Sequence, residues 1–315
     1  MPVMFLICKR FLSFLATLLA ASAVIFFIVE ILPGDPAEIM AGMNATPEQL
    51  AQLRHEYGLD MAAIPRYFQW ISGILSGYLG KSYSYAVPVN QLIGERLVVS
   101  LPLALLSLCF VFMISFPIGF LLVILRGGAI ETLLMLLMQI WIAIPNFLLG
   151  LLFIFIFSVN WAFFPGSGFP GWDGDMRLAL SALVLPALVL ALPQAAILSR
   201  ILRSSLLDIL SEDYIRTARA KGLSPLSTLL KHALKNALPP VLTIIGLQFS
   251  FLVSGAIVVE TVFSLSGLGR LMVQALNNRD LIVVESVGLL LVSSVILVSY
   301  LVDFILIALD PRLRT

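Results

Sequence analysis

The sequence predicts an all-α membrane protein with six transmembrane helices and both termini in the cytoplasm. Three observations predict it. Of 315 residues, 60% are hydrophobic and only 12% are charged, whereas soluble chains carry about 25% charged residues; mean hydropathy is +1.04. Six apolar runs are each long enough to cross a hydrocarbon layer about 30 Å thick as a helix. Lys and Arg gather in the pieces that alternating spans place on one side.

The first run covers about 11–31 and follows Lys9-Arg10. "ASA" at 21–23 resembles a signal-peptide cleavage site, but the run continues through "VIFFIV", which favours an uncleaved helix. The second lies between Arg96 and Arg126 with no charge between them. The third begins after Glu131 and reaches about Ser158. The fourth and fifth cover about 178–199 and 240–259. The sixth covers about 281–309, with Glu285 and Asp303 toward its ends.

With the N-terminus inside, residues 1–10, 126–131, 199–239 and 310–315 hold 12 basic residues in 63, against 7 in 107 for 32–96, 159–178 and 260–281. The higher density marks the cytoplasmic side. Residues 1–94 then form a first helix plus an extracytoplasmic segment. Residues 95–309 form a five-helix core, and 310–315 a cytoplasmic tail.

In the long outer loop, "TPEQLAQLRHEYG" predicts a helix: Thr46 as cap, Pro47 in the first turn, Gln49 completing a capping box and Gly58 ending it. Residues 65–77 bring Tyr67, Phe68 and Trp70, which suit a membrane interface. The loop is either a small cap on the bundle or a docking surface for a soluble partner. "GYLGKS" at 77–82 has the Gly-Lys-Ser ending of a phosphate-binding loop, but Leu75 stands where that pattern needs glycine. The chain has no nucleotide-binding motif of its own.

Catalytic chemistry is not apparent. There is no H-E-x-x-H, no G-x-S-x-G and no Cys–His pair on one side of the membrane. Two cysteines and two histidines, widely separated, make neither a disulfide framework nor metal-ligand spacing. Glu30, Glu260, Glu285 and Asp303 fall near span ends and leave the middles neutral. An ion-coupled carrier usually keeps ionisable groups near the midplane. Gln139, Asn146, Gln248 and Ser254 are candidates to line a path, and equally to hydrogen-bond between helices.

Between the fourth and fifth runs lies a polar segment, "EDYIRTARAKGLSPL" at 212–226. Ser211 is placed to cap a short helix with acidic residues first and Arg216, Arg219 and Lys221 later, in the order the helix dipole favours. Gly222 suits a left-handed C-terminal cap. Ser224-Pro225 restarts a helix that carries Leu226, Leu229, Leu230, Ala233 and Leu234, and Pro239-Pro240 closes it. Tyr214, Ile215, Ala218 and Leu223 supply an apolar face. These features suit a basic loop held inside by its charge, a protein-docking elbow, or contact with anionic lipid.

The stretch "RTARAKGLSPLSTLLKHALKNALPP" resembles the cytoplasmic motif of type I ABC importer permeases. Gly222 takes the motif's Gly and Leu238-Pro239 its Leu-Pro. Its Glu-Ala-Ala reads Arg216-Thr217-Ala218, the form common in the dipeptide/oligopeptide/nickel subfamily. "LPGDPA" at 32–37, the outer stretch 53–82 and "GAIVVETVFSLSGLGRL" at 255–271 resemble the same subfamily, so the likeness covers nearly the whole chain.

The resemblance implies a type I ABC importer permease fold and a subunit of the bacterial or archaeal inner membrane. It implies a coupling elbow at about 211–238 that engages an ATPase subunit through Tyr214, Ile215, Arg216, Thr217, Ala218, Ala220, Gly222 and Leu223. The implied partners are a homologous second permease, two ATPase subunits, an extracytoplasmic solute-binding protein and membrane lipid, with no nucleic acid. ATP and Mg would be bound by the ATPase subunits, and this chain would hold no cofactor or metal and catalyse nothing. The implied cargo is a di- or oligopeptide, with nickel or a metal chelate as the alternative. A stand-alone ion-coupled or passive carrier is the alternative of a different class.

Overall fold

The computed structural model describes residues 2–31, 35–41 and 45–309. The expected tail at 310–315 and the first residues of "LPGDPA", 32–34, lie outside them. Among the described residues there is no strand. An isolated bridge joins Lys81 and Pro88.

Among the described residues, five helices are long and apolar enough to cross a membrane. They are α1 (Pro2–Ile31), α5 (Val89–Ile124), α8 (Met176–Leu210), α11 (Leu234–Val262) and α13 (Leu281–Leu309). The shorter helices are α2 (Pro36–Ala41), α3 (Pro47–Glu56), α4 (Ala63–Leu75), α6 (Ala129–Ala143), α7 (Asn146–Phe153), α9 (Asp213–Ala220), α10 (Pro225–Thr228) and α12 (Leu268–Asn277).

The third apolar run is where the pattern differs from one straight span. It folds as α6 and α7, the latter continued by a π-helical turn at Ile154–Asn160, with a bend of 105° between the pair. Ile144 precedes Pro145, and a residue before proline is pushed out of the helical region. Ile144 accordingly sits at φ −78° and ψ 124°, and the helix restarts at Asn146. The pair counts as a sixth span only if both halves are taken together.

The chain divides into two compact units. The first comprises Pro102–Leu265, the N-terminal residues up to Leu6 and the chain from Val298 on. Its central element is α8: 72% of its apolar 18-residue stretch is buried, against 17–28% of the corresponding stretches of the other long helices. It packs against α6, α7 and α11. Its interior joins Val111 of α5, Leu198, Leu202 and Leu206 of α8, and Ala237 and Val241 of α11. At Gly119 a Cβ would come within 2.8 Å of Leu202, so glycine allows α5 its close approach to α8. Pro186 and Pro193 lie inside α8, where both are buried.

The second unit comprises Ile7–Leu101 and Ser266–Leu297. Its core joins Val29, Val89, Leu92 and Ile93 to Leu268, Leu271, Val283 and Val287. The capping box of α3 forms as the sequence predicts. Thr46 Oγ1 accepts from the Gln49 amide at 3.3 Å, and the Thr46 amide donates to Gln49 Oε1 at 3.0 Å. Gly58 follows α3 at φ +66°. The aromatic residues of α4 play two parts. Tyr67 meets Phe26 of α1 edge to face and Trp70 lies tilted against it, and the Tyr67 hydroxyl meets Ser22 Oγ at 2.9 Å. Phe68 is exposed. Arg66 pairs with Glu30 and lies 5.7 Å over the Phe26 ring. These contacts fasten α4 along α1.

Candidate functional site

The polar segment after α8 folds as an elbow. A short turn leads from α8 into α9, a second turn at Gly222 leads to α10, and a π-helical turn at Leu229–Ala233 runs on into α11. Gly222 sits at φ +85°, in the left-handed region where residues with a Cβ are strained. Its amide donates to Arg219 O at 2.9 Å, and the Leu223 amide to Ala218 O at 3.4 Å. These bonds close the end of α9. Ser224 caps α10, its hydroxyl accepting from the Ser227 amide at 3.2 Å, with Pro225 in the first turn.

Two local expectations fail, each for a physical reason. Ser211 does not cap α9: its hydroxyl donates to Asp208 O at 2.7 Å and so closes the end of α8. The cap position of α9 is Glu212, with no side-chain hydrogen bond. Pro239-Pro240 does not close the second helix, because both prolines lie inside α11. The missing N–H groups release the carbonyls of Lys235 and Asn236. Both residues are exposed, so the freed carbonyls can be hydrated instead of breaking the helix.

The proposed coupling residues separate into two faces. Ile215 is fully buried in the same cluster as Leu202 and Leu206 of α8, Leu229 and Ala233 of the π-helical turn, and Ala237 of α11. It therefore faces the bundle, not outward. Tyr214 is exposed, and its hydroxyl accepts from Asn236 Nδ2 at 2.8 Å. Arg216, Thr217 and Ala220 are exposed, and Ala218 and Leu223 are half-buried. Arg216 reaches Asp213 at 3.3 Å with both side chains largely in solvent, a geometry that adds little stability. Thr217 Oγ1 donates to Asp213 O at 3.1 Å.

Leu226 and Leu230 are exposed at 58% and 46%, while Leu229 and Ala233 are buried. The leucine row of the second helix is thus split between the bundle and the outer face. One further tie joins the two arms of the elbow: Ser205 Oγ on α8 donates to Ala237 O on α11 at 2.9 Å.

The four path candidates have different surroundings. Gln139 is exposed and accepts from Arg200 Nη1 at 3.2 Å. Gln248 is buried, and its Nε2 donates to Gln194 O at 3.0 Å. Asn146 stands at the bend after Pro145, where a Cβ on Gly255 would come within 2.8 Å of its Nδ2. Ser254 is exposed.

Sequence reasoning missed the Arg203–Glu131 pair, in which Arg203 Nε donates to Glu131 Oε1 at 2.7 Å. Glu131 Oε2 also accepts from the Gly127 amide at 2.6 Å. An acidic residue at the start of one apolar run and a basic one just past another were the available signal. The partnering of Gln194 left no such trace.

Three comparisons bear on this geometry. The sequence profile described as "Binding-protein-dependent transport system inner membrane component" matches residues 115–315. That described as "Binding-prot-dependent transport system membrane comp, N-term" matches residues 3–104. A protein of Brucella abortus, provisionally named a peptide transport system permease protein, is 40% identical over 314 residues, 98% of each chain. The glutathione transport system permease protein of Salmonella paratyphi A is 38% identical over 308 residues, again 98% of each chain. Among solved structures, a chain of the MetNI methionine ABC transporter in an inward-facing conformation matches with a TM-score of 0.58 and 23% identity. That match covers 70% of this chain and 97% of the other. It is a likeness of fold.

Proposed function

The chain belongs to the binding-protein-dependent transport system inner membrane component family, and on that premise we propose that it is a permease subunit importing di- or oligopeptides. It sits in the bacterial or archaeal inner membrane with both termini cytoplasmic, and forms half of a path completed by a homologous permease. Two ATPase subunits bind ATP and Mg on the cytoplasmic side, and a solute-binding protein delivers cargo from outside. The chain itself binds no nucleotide and catalyses no reaction. Residues 1–94 form the first helix and outer segment, 95–309 the family core and 310–315 the cytoplasmic tail. Gln139, Asn146, Gln248 and Ser254 line the path. The names of the relatives support the cargo, since glutathione is itself a tripeptide.

One observation carries the coupling role. The elbow carries apolar side chains on both faces: Ile215 is locked into the bundle while Tyr214, Leu226 and Leu230 stand outside. The outward face, with Ala218, Leu223 and the exposed Arg216, Thr217 and Ala220, docks in a groove of an ATPase subunit. Ile215 and the Ser205–Ala237 bond then pass its movement to α8 and α11 together. A rigid element shared by two helices suits the rocking that alternating access requires.

Reconstitution tests the reading. The complex of two permeases, two ATPases and binding protein is expected to take up a labelled dipeptide only with ATP, and the isolated chain to move none. Uptake by the isolated chain in the absence of ATPase subunits would overturn it.

A further inference from the structure

The second unit holds an open cavity of about 640 Å³, within the range of small-molecule sites. Its wall is built from Tyr57, Arg66, Trp70, Lys81, Tyr83 and Glu285, among others. The "GYLGKS" stretch, without a role as a phosphate loop, forms part of this wall. Gly80 at φ +88° makes that possible: a Cβ there would come within 2.9 Å of Ile282 Cγ2, so only glycine brings the stretch against α13.

The charges in the wall do not balance locally. Glu285 is 6% exposed and has no hydrogen-bond or ion-pair partner among the described residues. A carboxyl so placed holds its charge only where a cation meets it. The charge of Arg66 reaches Glu285, but Arg66 is already paired with Glu30. Glu285 therefore has no cation to itself among the described residues. Lys81 presents the opposite case: it is exposed, lines the same cavity and has no acidic partner among the described residues.

The rings complete the picture. Tyr57 and Tyr83 meet edge to face with centroids 5.0 Å apart, and Trp70 is held against Phe26. Aromatic faces attract ammonium groups. Burial, and after it the charge of Glu285, pushes the Tyr83 phenol up, so it stays a neutral O–H.

From these features we propose that the cavity binds a small zwitterion of the amino-acid or short-peptide class, its ammonium at Glu285 between the rings and its carboxylate toward Lys81. This deepens the peptide reading and rests on it. It adds a ligand site on the permease outside the elbow and the path residues. Free amines without a carboxylate satisfy only one end of it, and N-blocked peptides only the other.

The test uses the full chain in lipid nanodiscs without partner subunits, and equilibrium binding of alanyl-phenylalanine, its N-acetyl form and its C-terminal amide. Saturable binding of the free dipeptide is expected at millimolar concentration. N-acetylation weakens it by about 10-fold or more, the scale of a lost charge-assisted hydrogen bond. Glu285→Gln gives the same loss and removes the sensitivity to acetylation. Lys81→Met does the same for the C-terminal amide.

Equal binding of the acetylated and free dipeptides overturns the proposal, and that comparison needs no variant. So does unchanged binding in a folded Glu285→Gln chain. If the binding protein alone shields Lys81 from an amine-reactive reagent and the dipeptide does not, the cavity is a protein-docking site and the proposal fails. ATP-dependent uptake by the full complex is measured in parallel. Uptake without dipeptide binding to the isolated chain sinks this inference and leaves the permease reading standing. Binding without ATP-dependent uptake does the reverse.

Discussion

Two short polar helices, α3 and α9, interrupt this apolar chain, and they are held by opposite means. α3 carries a full capping box and proline in its first turn, but buries no residue. α9 has no side-chain cap, yet buries Ile215 completely. The first is fixed by its own residues and the second by what it packs against. An element held locally can form without altering its neighbours. One held by a shared core moves when that core moves. This difference makes α9, and not α3, suited to transmit force.

Ile215→Ala should have the largest effect on that contrast. Removing a buried aliphatic side chain costs about 3 kcal/mol, and here it removes the peg between the elbow and α8. Trypsin should cut faster after Arg219 and Lys221, with ATP-dependent uptake lost. An unchanged cutting rate would mean that α9 is held locally after all, and the contrast would collapse.

Gly222 comes next. A Cβ there meets nothing within 4 Å, so substitution is opposed by backbone strain alone, about 1–2 kcal/mol. Gly222→Asp should leave membrane insertion and thermal stability nearly intact while impairing uptake. The loss would then come from an approaching partner, since the chain itself has room. Normal uptake by a stably expressed Gly222→Asp complex would sink the coupling role.

Thr46→Ala should cost about 1 kcal/mol, and only at the start of α3. Hydrogen exchange should speed up at the amides of 47–50 with the elbow unaffected. Asn236→Ala should do least, about 0.5 kcal/mol, because the Tyr214 hydroxyl it releases can be hydrated. A large loss of uptake with unchanged stability would show that Tyr214 must be held in one rotamer to dock.

Much of this architecture was legible in the residues. The apolar runs appear as long helices because a hydrophobic stretch has no other way to satisfy its backbone in lipid. The caps at Thr46 and Ser224 and the left-handed turn at Gly222 form because each depends on a few consecutive residues. What failed involved competition between neighbours. Ser211 had two helices to serve and closed the earlier one. Pro239-Pro240 looked like a stop, but exposed flanking carbonyls let α11 run through. The third apolar run read as one span, yet at Pro145 the chain bends by 105°.

By itself, the sequence determined the helices, their apolar length, the elbow's turns and the family likeness, since all depend on local propensity or continuous pattern. Tertiary structure alone decided which residues of the elbow face the bundle. Period and hydrophobicity mark Ile215, Leu229, Leu226 and Leu230 alike, and only the position of α8 buries the first two and exposes the others. It also decided that Glu285, Lys81 and the rings of Tyr57 and Tyr83 share one cavity. Residues over two hundred positions apart meet only when the chain has folded, and no local pattern encodes that distance.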